Sequence, residues 1–154
     1  MPSPLDAGPA RITVHRRVEW VDTDATGHVH NTFAVRLFES AEAELLRRLG
    51  LTALIPAMPR VRTLFEFRRR LFFGDPVAAE VRVAAVGRTS LTYAMRAVRG
   101  QEVAIEGEVV AVHAPGDAAA PWPDHARRAL AGDGGGGHAA IPPSGEWTGD
   151  PGQE

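Results

Sequence analysis

The chain has 154 residues and an apolar fraction of 44%, enough for one domain with a packed core. Its formal charge of −2 shows no basic excess, so nothing in the composition points to a nucleic-acid backbone or an anionic membrane surface as partner. It has no cysteine and all 17 basic residues are arginine, which excludes disulfides, thiolate nucleophiles, cysteine-bound zinc, Schiff-base lysines and a Walker-type phosphate lysine.

Residues 1–10 carry proline and glycine and are expected to be a flexible N-terminus. They lack the basic region and apolar run of a secretion signal, and no apolar stretch reaches the roughly 18–20 residues of a membrane span. The expectation is a cytoplasmic protein with no membrane partner. From Arg11 onward, Ile12, Val14, Val18 and Trp20 fall on even positions, and period two predicts a strand with one buried face.

Residues 21–31 then read VDTDATGHVHN, a loop of two aspartates, two histidines, two threonines and a glycine. From the residues alone it can be a metal site, a catalytic site or a capped turn. Residues 33–49 change period: Ala34, Leu37, Phe38, Ala41, Leu45 and Leu49 predict a helix of about 17 residues. Asn31 or Thr32 can cap its start, and Gly50 sits where a left-handed C-terminal residue belongs.

Residues 51–60 form a connection with Pro56 and Pro59. Period two then returns in four segments. Val61, Phe65, Phe67, Leu71 and Phe73 precede a turn at Gly74-Asp75-Pro76, and Val77, Ala79, Val81, Val83 and Ala85 lead to Gly87-Arg88. Leu91, Tyr93, Met95 and Ala97 lead to Gly100-Gln101, and Val103, Ile105, Gly107, Val109 and Ala111 follow. Long strands joined by tight hairpins predict an antiparallel sheet. Residues 121–131 can form a short helix, with Asp124 near its start. Residues 132–154 hold eight glycines and three prolines in 23 positions and read as a disordered tail, with Ile141 and Trp147 its lone large apolar residues. The folded domain is thus expected over 11–131. Its class is α+β, and one layer of sheet on one helix leaves apolar surface that a homodimer or homotetramer would cover.

Three stretches carry a resemblance: VEWVDTDATGHVHNTFAVRLFESAEAELLRRLG at 18–50, FRRRLFFGDPV at 67–77 and VGRTSLTYAMRAV at 86–98. Over about Thr13 to His113 the chain resembles the hotdog-fold acyl-CoA thioesterases, in particular the 4-hydroxybenzoyl-CoA thioesterase-like family. The resemblance implies one long central helix wrapped by a curved antiparallel sheet of about five strands. It also implies hydrolysis of an acyl-CoA or acyl-carrier-protein thioester to free acid and thiol, without a cofactor. Two departures bear on the acyl pocket: Thr32-Phe33-Ala34-Val35 stands where the family has an aromatic residue near the helix start, and His30 stands where asparagine is more common.

By the same resemblance Asp24 occupies the place of the catalytic carboxylate, as base or nucleophile. The helix N-terminus offers unpaired amides to an oxyanion, with the Asn31 backbone amide as donor and Gly27 allowing close backbone approach. Asp22 reads as a loop-stabilising carboxylate. His28 is expected beside the substrate, and His30 on the surface or the pocket wall. The H-x-H pair lacks a third ligand at metal-site spacing, so no metal is expected. Phe33 is placed at the acyl pocket. Glu39 is the fallback carboxylate if Asp24 fails, or a polar contact at a subunit interface. Period two splits Arg68, Arg69 and Arg70 between two faces, which argues against a phosphate cluster. The turn Arg88-Thr89-Ser90 offers a guanidinium, hydroxyls and amides to the phosphates of coenzyme A. Two other readings stay open: an enoyl-thioester dehydratase or hydratase pairing His28 with Asp22 or Asp24, and a non-catalytic acyl-thioester binding module.

Overall fold

The computed structural model describes residues 8–132. The readings of residues 1–7 as flexible and of 133–154 as a tail, with His138, Ile141 and Trp147, lie outside the described residues.

Strand β1 (Arg11–Arg17) buries Ile12 and Val14 on one face, as its alternation predicts. It ends earlier than expected. Val18 turns inward and binds backbone to Gly74 and Asp75, and the chain then enters a 3-10 turn at Trp20–Asp22. Trp20 is therefore 76% exposed rather than buried, and packs edge-on against Phe73 with ring centres 6.0 Å apart.

Helix α1 (Thr32–Arg48) buries a stripe of Phe33, Ala34, Leu37, Phe38, Ala41, Leu45 and Leu46. It closes in a Schellman arrangement: Leu51 N–H reaches Leu46 O at 2.8 Å and Gly50 N–H reaches Arg47 O at 3.1 Å. Gly50 takes φ +70°, the left-handed conformation that the sequence assigns to it.

Strands β2 (Arg60–Phe67), β3 (Pro76–Val86), β4 (Ser90–Arg99) and β5 (Glu102–Val112) complete an antiparallel sheet in the order β1-β3-β4-β5-β2. Hairpins join β3 to β4 and β4 to β5, as the turns at Gly87 and Gly100 predict. Strands β2 and β3 are not a hairpin, contrary to the expectation. Strand β2 ends at Phe67, where the Arg68 and Arg69 amides both donate to Ala104 O. Residues 68–75 then cross the ends of β5 and β4, with Leu71 fully buried and Arg99 donating to both Arg70 O (3.1 Å) and the Asp75 carboxylate (2.9 Å). Strand β2 is left at the sheet edge, with Val61, Leu64 and Phe67 exposed.

Helix α1 lies on the face built by Val77, Ala79, Val81, Val83, Leu91, Tyr93, Met95 and Ala97, with Phe38 edge-on to Tyr93 at 5.3 Å. The opposite face is laced by cross-strand pairs, Arg96 with Glu80 and Arg62 with Glu108. At about 1.5 Å per residue α1 runs roughly 25 Å, while β3 at about 3.4 Å per residue runs roughly 37 Å. The description "long central helix" is corrected accordingly: the strands, not the helix, set the length of this α+β domain. A short helix α2 (Asp124–Ala131) follows Trp122 and buries Ala126 and Leu130.

One buried acid sits in this layer. Glu42 of α1 is held by the Arg60 guanidinium, which also lies 5.4 Å over the Phe38 ring. Its Oε2 and the Tyr93 hydroxyl are both buried without a hydrogen-bond partner among the described residues. Burial first, and then the neighbouring Glu42 carboxylate, push the Tyr93 phenol far above its ordinary range.

Candidate active site

The loop between β1 and α1 is built around Asp22. The residue is 9% exposed; its carboxylate accepts the Glu19 N–H at 2.8 Å and pairs with the Arg36 guanidinium at 3.0 Å, while its carbonyl accepts the His30 N–H at 2.8 Å. Both ends of the loop and the first turns of α1 are thereby tied to one residue, the stabilising role the sequence gives it.

Asp24 stands in a different setting. Its Oδ1 accepts the Thr26 N–H at 2.8 Å, an Asx turn, and also the Thr26 hydroxyl. No hydrogen bond holds Oδ2 among the described residues. These bonds from Thr26, the side chain first, hold the carboxyl below its ordinary value of 3.8, with weaker help from His30 and His28. Asp24 is therefore ionised at neutral pH. The Thr26 hydroxyl has a single hydrogen, directed at Asp24, so His28 Nδ1, 3.1 Å from that oxygen, donates to it. The His28 ring reaches the Asp24 carboxylate only through Thr26, while the His28 carbonyl accepts the Asp24 N–H at 3.2 Å. Gly27 provides the turn at φ +84°, its N–H bound to Asp24 O.

Neither Asn31 nor Thr32 caps the helix with its side chain. Asn31 has helical angles (φ −57°, ψ −27°) and no side-chain cap bond. The cap is His30, one residue earlier: its Nδ1 accepts the Thr32 N–H at 3.1 Å, and its carbonyl accepts the Phe33 N–H. This geometry assigns the ring proton to Nε2. An asparagine at this position, the residue that the resemblance leads one to expect, would cap the helix in the same way through its amide oxygen. The Asn31 N–H, next along the chain, has no partner among the described residues.

Asp24, His28, Val29, His30 and Asn31 line an open cleft of about 470 Å³ against Phe67, Arg68, Arg69 and Arg70. The arginine triplet is thus corrected: all three line one cleft, because β2 ends at Phe67 and strand alternation no longer applies beyond it. Five expected binding residues are not in this cleft. Phe33 lies in the core, and Glu39 is exposed on α1, the buried helical glutamate being Glu42. Arg88, Thr89 and Ser90 stand at the far end of β3 from Asp75, where Trp122 and Arg127 bind the turn's carbonyls. Among the described residues no three His, Cys, Asp or Glu side chains converge as metal ligands, and no helix is long and apolar enough to cross a membrane.

The model of the thioesterase-like superfamily matches residues 18–130. Among solved structures, the chain is similar to a thioesterase from Thermus thermophilus complexed with coenzyme A and Zn. The two are 27% identical over 77% of this chain and 90% of that one, with a TM-score of 0.72. It is also similar to a gentisyl-coenzyme A thioesterase, at 25% identity over 77% and 98% of the two chains and a TM-score of 0.70. A 1,4-dihydroxy-2-naphthoyl-CoA thioesterase from Synechocystis shares the fold at 18% identity, over 78% and 95%, with a TM-score of 0.72. No curated protein sequence matches the chain.

The cap generates a test. His30→Ala should destabilise the protein by about 1 kcal/mol, the usual cost of a lost N-cap, and His30→Asn should restore most of it. Denaturant unfolding checks this; equal stability of all three proteins would contradict the assignment.

Proposed function

The chain belongs to the thioesterase-like superfamily and is an acyl thioester hydrolase, and from that premise we propose that Asp24 and the N-terminus of α1 carry the reaction. The observation behind this reading is the division of the Asp24 carboxylate. One oxygen is fixed by Thr26; among the described residues neither the other oxygen nor the N–H of Asn31, which lines the same cleft, has a hydrogen-bond partner.

Two routes use the same atoms. As a base, Asp24 takes a proton from water as the hydroxide attacks the thioester carbonyl. As a nucleophile, it attacks the carbonyl itself and forms an anhydride that water then opens. In both, negative charge develops on the carbonyl oxygen. The Asn31 N–H and the positive end of the α1 dipole stabilise it before the C–S bond breaks and the thiolate takes up a proton. The lowered pKa of Asp24 suits either role, since only the carboxylate is active. The substrate we assign is an acyl thioester of coenzyme A or of an acyl carrier protein, and the hydrolase domain is 11–131 in a hotdog arrangement.

Pairing with a second copy belongs to the same proposal. The β2 edge offers unpaired backbone groups together with exposed Val61, Leu64 and Phe67, which a second β2 would cover. Sedimentation equilibrium should return an even multiple of the chain mass, dimer or tetramer; a monomer at micromolar concentration contradicts it.

For the chemistry, Asp24→Asn should lower kcat by about 10²–10⁴-fold on any acyl thioester the wild type cleaves, with the thermal transition unchanged. Thiol release measures it. Unaltered turnover would remove Asp24 from the reaction. Binding without turnover in the wild type would favour the acyl-thioester binding module.

A further inference from the structure

We propose that Arg69 and Arg70 form an oxyanion-binding site on the rim of the Asp24 cleft, holding an anionic group of the substrate. That group is either a carboxylate on the acyl part or a phosphate on the carrier. The inference rests on the reading of the Asp24 cleft as the reaction site, and it names what that site selects.

The three arginines that line the cleft are not equivalent. Arg68 is neutralised by Glu66 and by Glu106, the latter at 3.2 Å. Among the described residues the Arg69 guanidinium donates only to the carbonyl of Arg68, at 3.0 Å. The Arg70 side chain has no ion pair or hydrogen bond among the described residues; only its carbonyl is engaged, by Arg99. Glu66, Glu106 and Asp24 balance the three arginines in formal charge, so what the cleft offers an anion is the pair of guanidinium groups, of Arg69 and Arg70, that no carboxylate occupies among the described residues. The backbone beneath them is fixed. Arg69 N–H is bound to Ala104 O, Arg70 O to Arg99, and the next residue, Leu71, is fully buried. Both side chains are exposed and lie past the last paired residue of β2, so they reach solvent without disturbing the sheet. A guanidinium fork matches the two oxygens of a carboxylate or phosphate, and two adjacent forks on one rigid segment suit one doubly coordinated anion.

The test uses the full chain and four thioesters: a neutral acyl group and a half-acid acyl group, each on coenzyme A and on phosphate-free N-acetylcysteamine. The double variant Arg69→Ala/Arg70→Ala should raise KM about tenfold for substrates that carry the bound anion, with kcat close to wild type. A rise on both coenzyme A substrates assigns the phosphate; a rise on both half-acid substrates assigns the carboxylate. Wild-type KM for those substrates should also climb with salt, and that of the double variant should not. KM unchanged on all four, or raised equally on all four including the neutral phosphate-free one, overturns the site. Asp24→Asn run in parallel keeps the two readings apart, because it acts on kcat and the arginine variant on KM.

Discussion

The site depends on one buried carboxylate that takes no part in the chemistry proposed for it. Asp22 binds the Glu19 amide, the Arg36 guanidinium and, through its carbonyl, the His30 amide. Burying an anion costs free energy unless donors replace its water, and here they come from the strand exit and from α1. The carboxylate is stable only when strand exit and helix entry sit in one relative position. That position puts Asp24 and Asn31 on the same cleft wall.

Two aspartates two residues apart thus have opposite environments. Asp22 spends both oxygens on structure. Asp24 spends one on the Thr26 turn and keeps one free. The difference comes from neighbours rather than residue type, and it is what separates the structural role of Asp22 from the reactive one proposed for Asp24. His30 has a similar double position: its ring closes the helix start, and the amide that follows, unpaired among the described residues, is the one proposed to meet the oxyanion. The crossing segment 68–75 supplies the other wall and its arginines, and it is docked on the loop through Val29 N–H to Leu71 O at 2.9 Å. The groups of the site therefore come from segments distant in sequence, fixed by backbone bonds rather than by a flexible lid.

Much of the fold was legible because local periodicity reports burial. The α1 stripe, the Gly50 stop and the β3-β4 and β4-β5 hairpins all follow from spacing alone. Pairing beyond nearest neighbours was not legible. Nothing in the alternation of residues 61–73 says that the strand stops at Phe67, and the misplaced faces of the arginine triplet follow from that. Trp20 fits the alternation of β1, but the Asp22 clamp pulls it into a 3-10 turn. The helical glutamate was legible in principle: Glu42 lies four residues after Phe38 on the buried stripe, whereas Glu39 lies off it. The His30 cap was hidden because imidazole is outside the usual set of capping side chains. The distance of Arg88–Ser90 from Asp24 is a matter of topology, with the length of β3 between them.

The most direct measurement is a crystal structure of the full chain with a coenzyme A analogue in which a methylene replaces the thioester sulfur. The carbonyl oxygen should accept the Asn31 N–H within about 3.2 Å, with the free oxygen of Asp24 facing the carbonyl carbon directly or through one water. A carbonyl bound elsewhere, with Asp24 still in contact only with Thr26, would contradict the assignment of this loop as the reacting site.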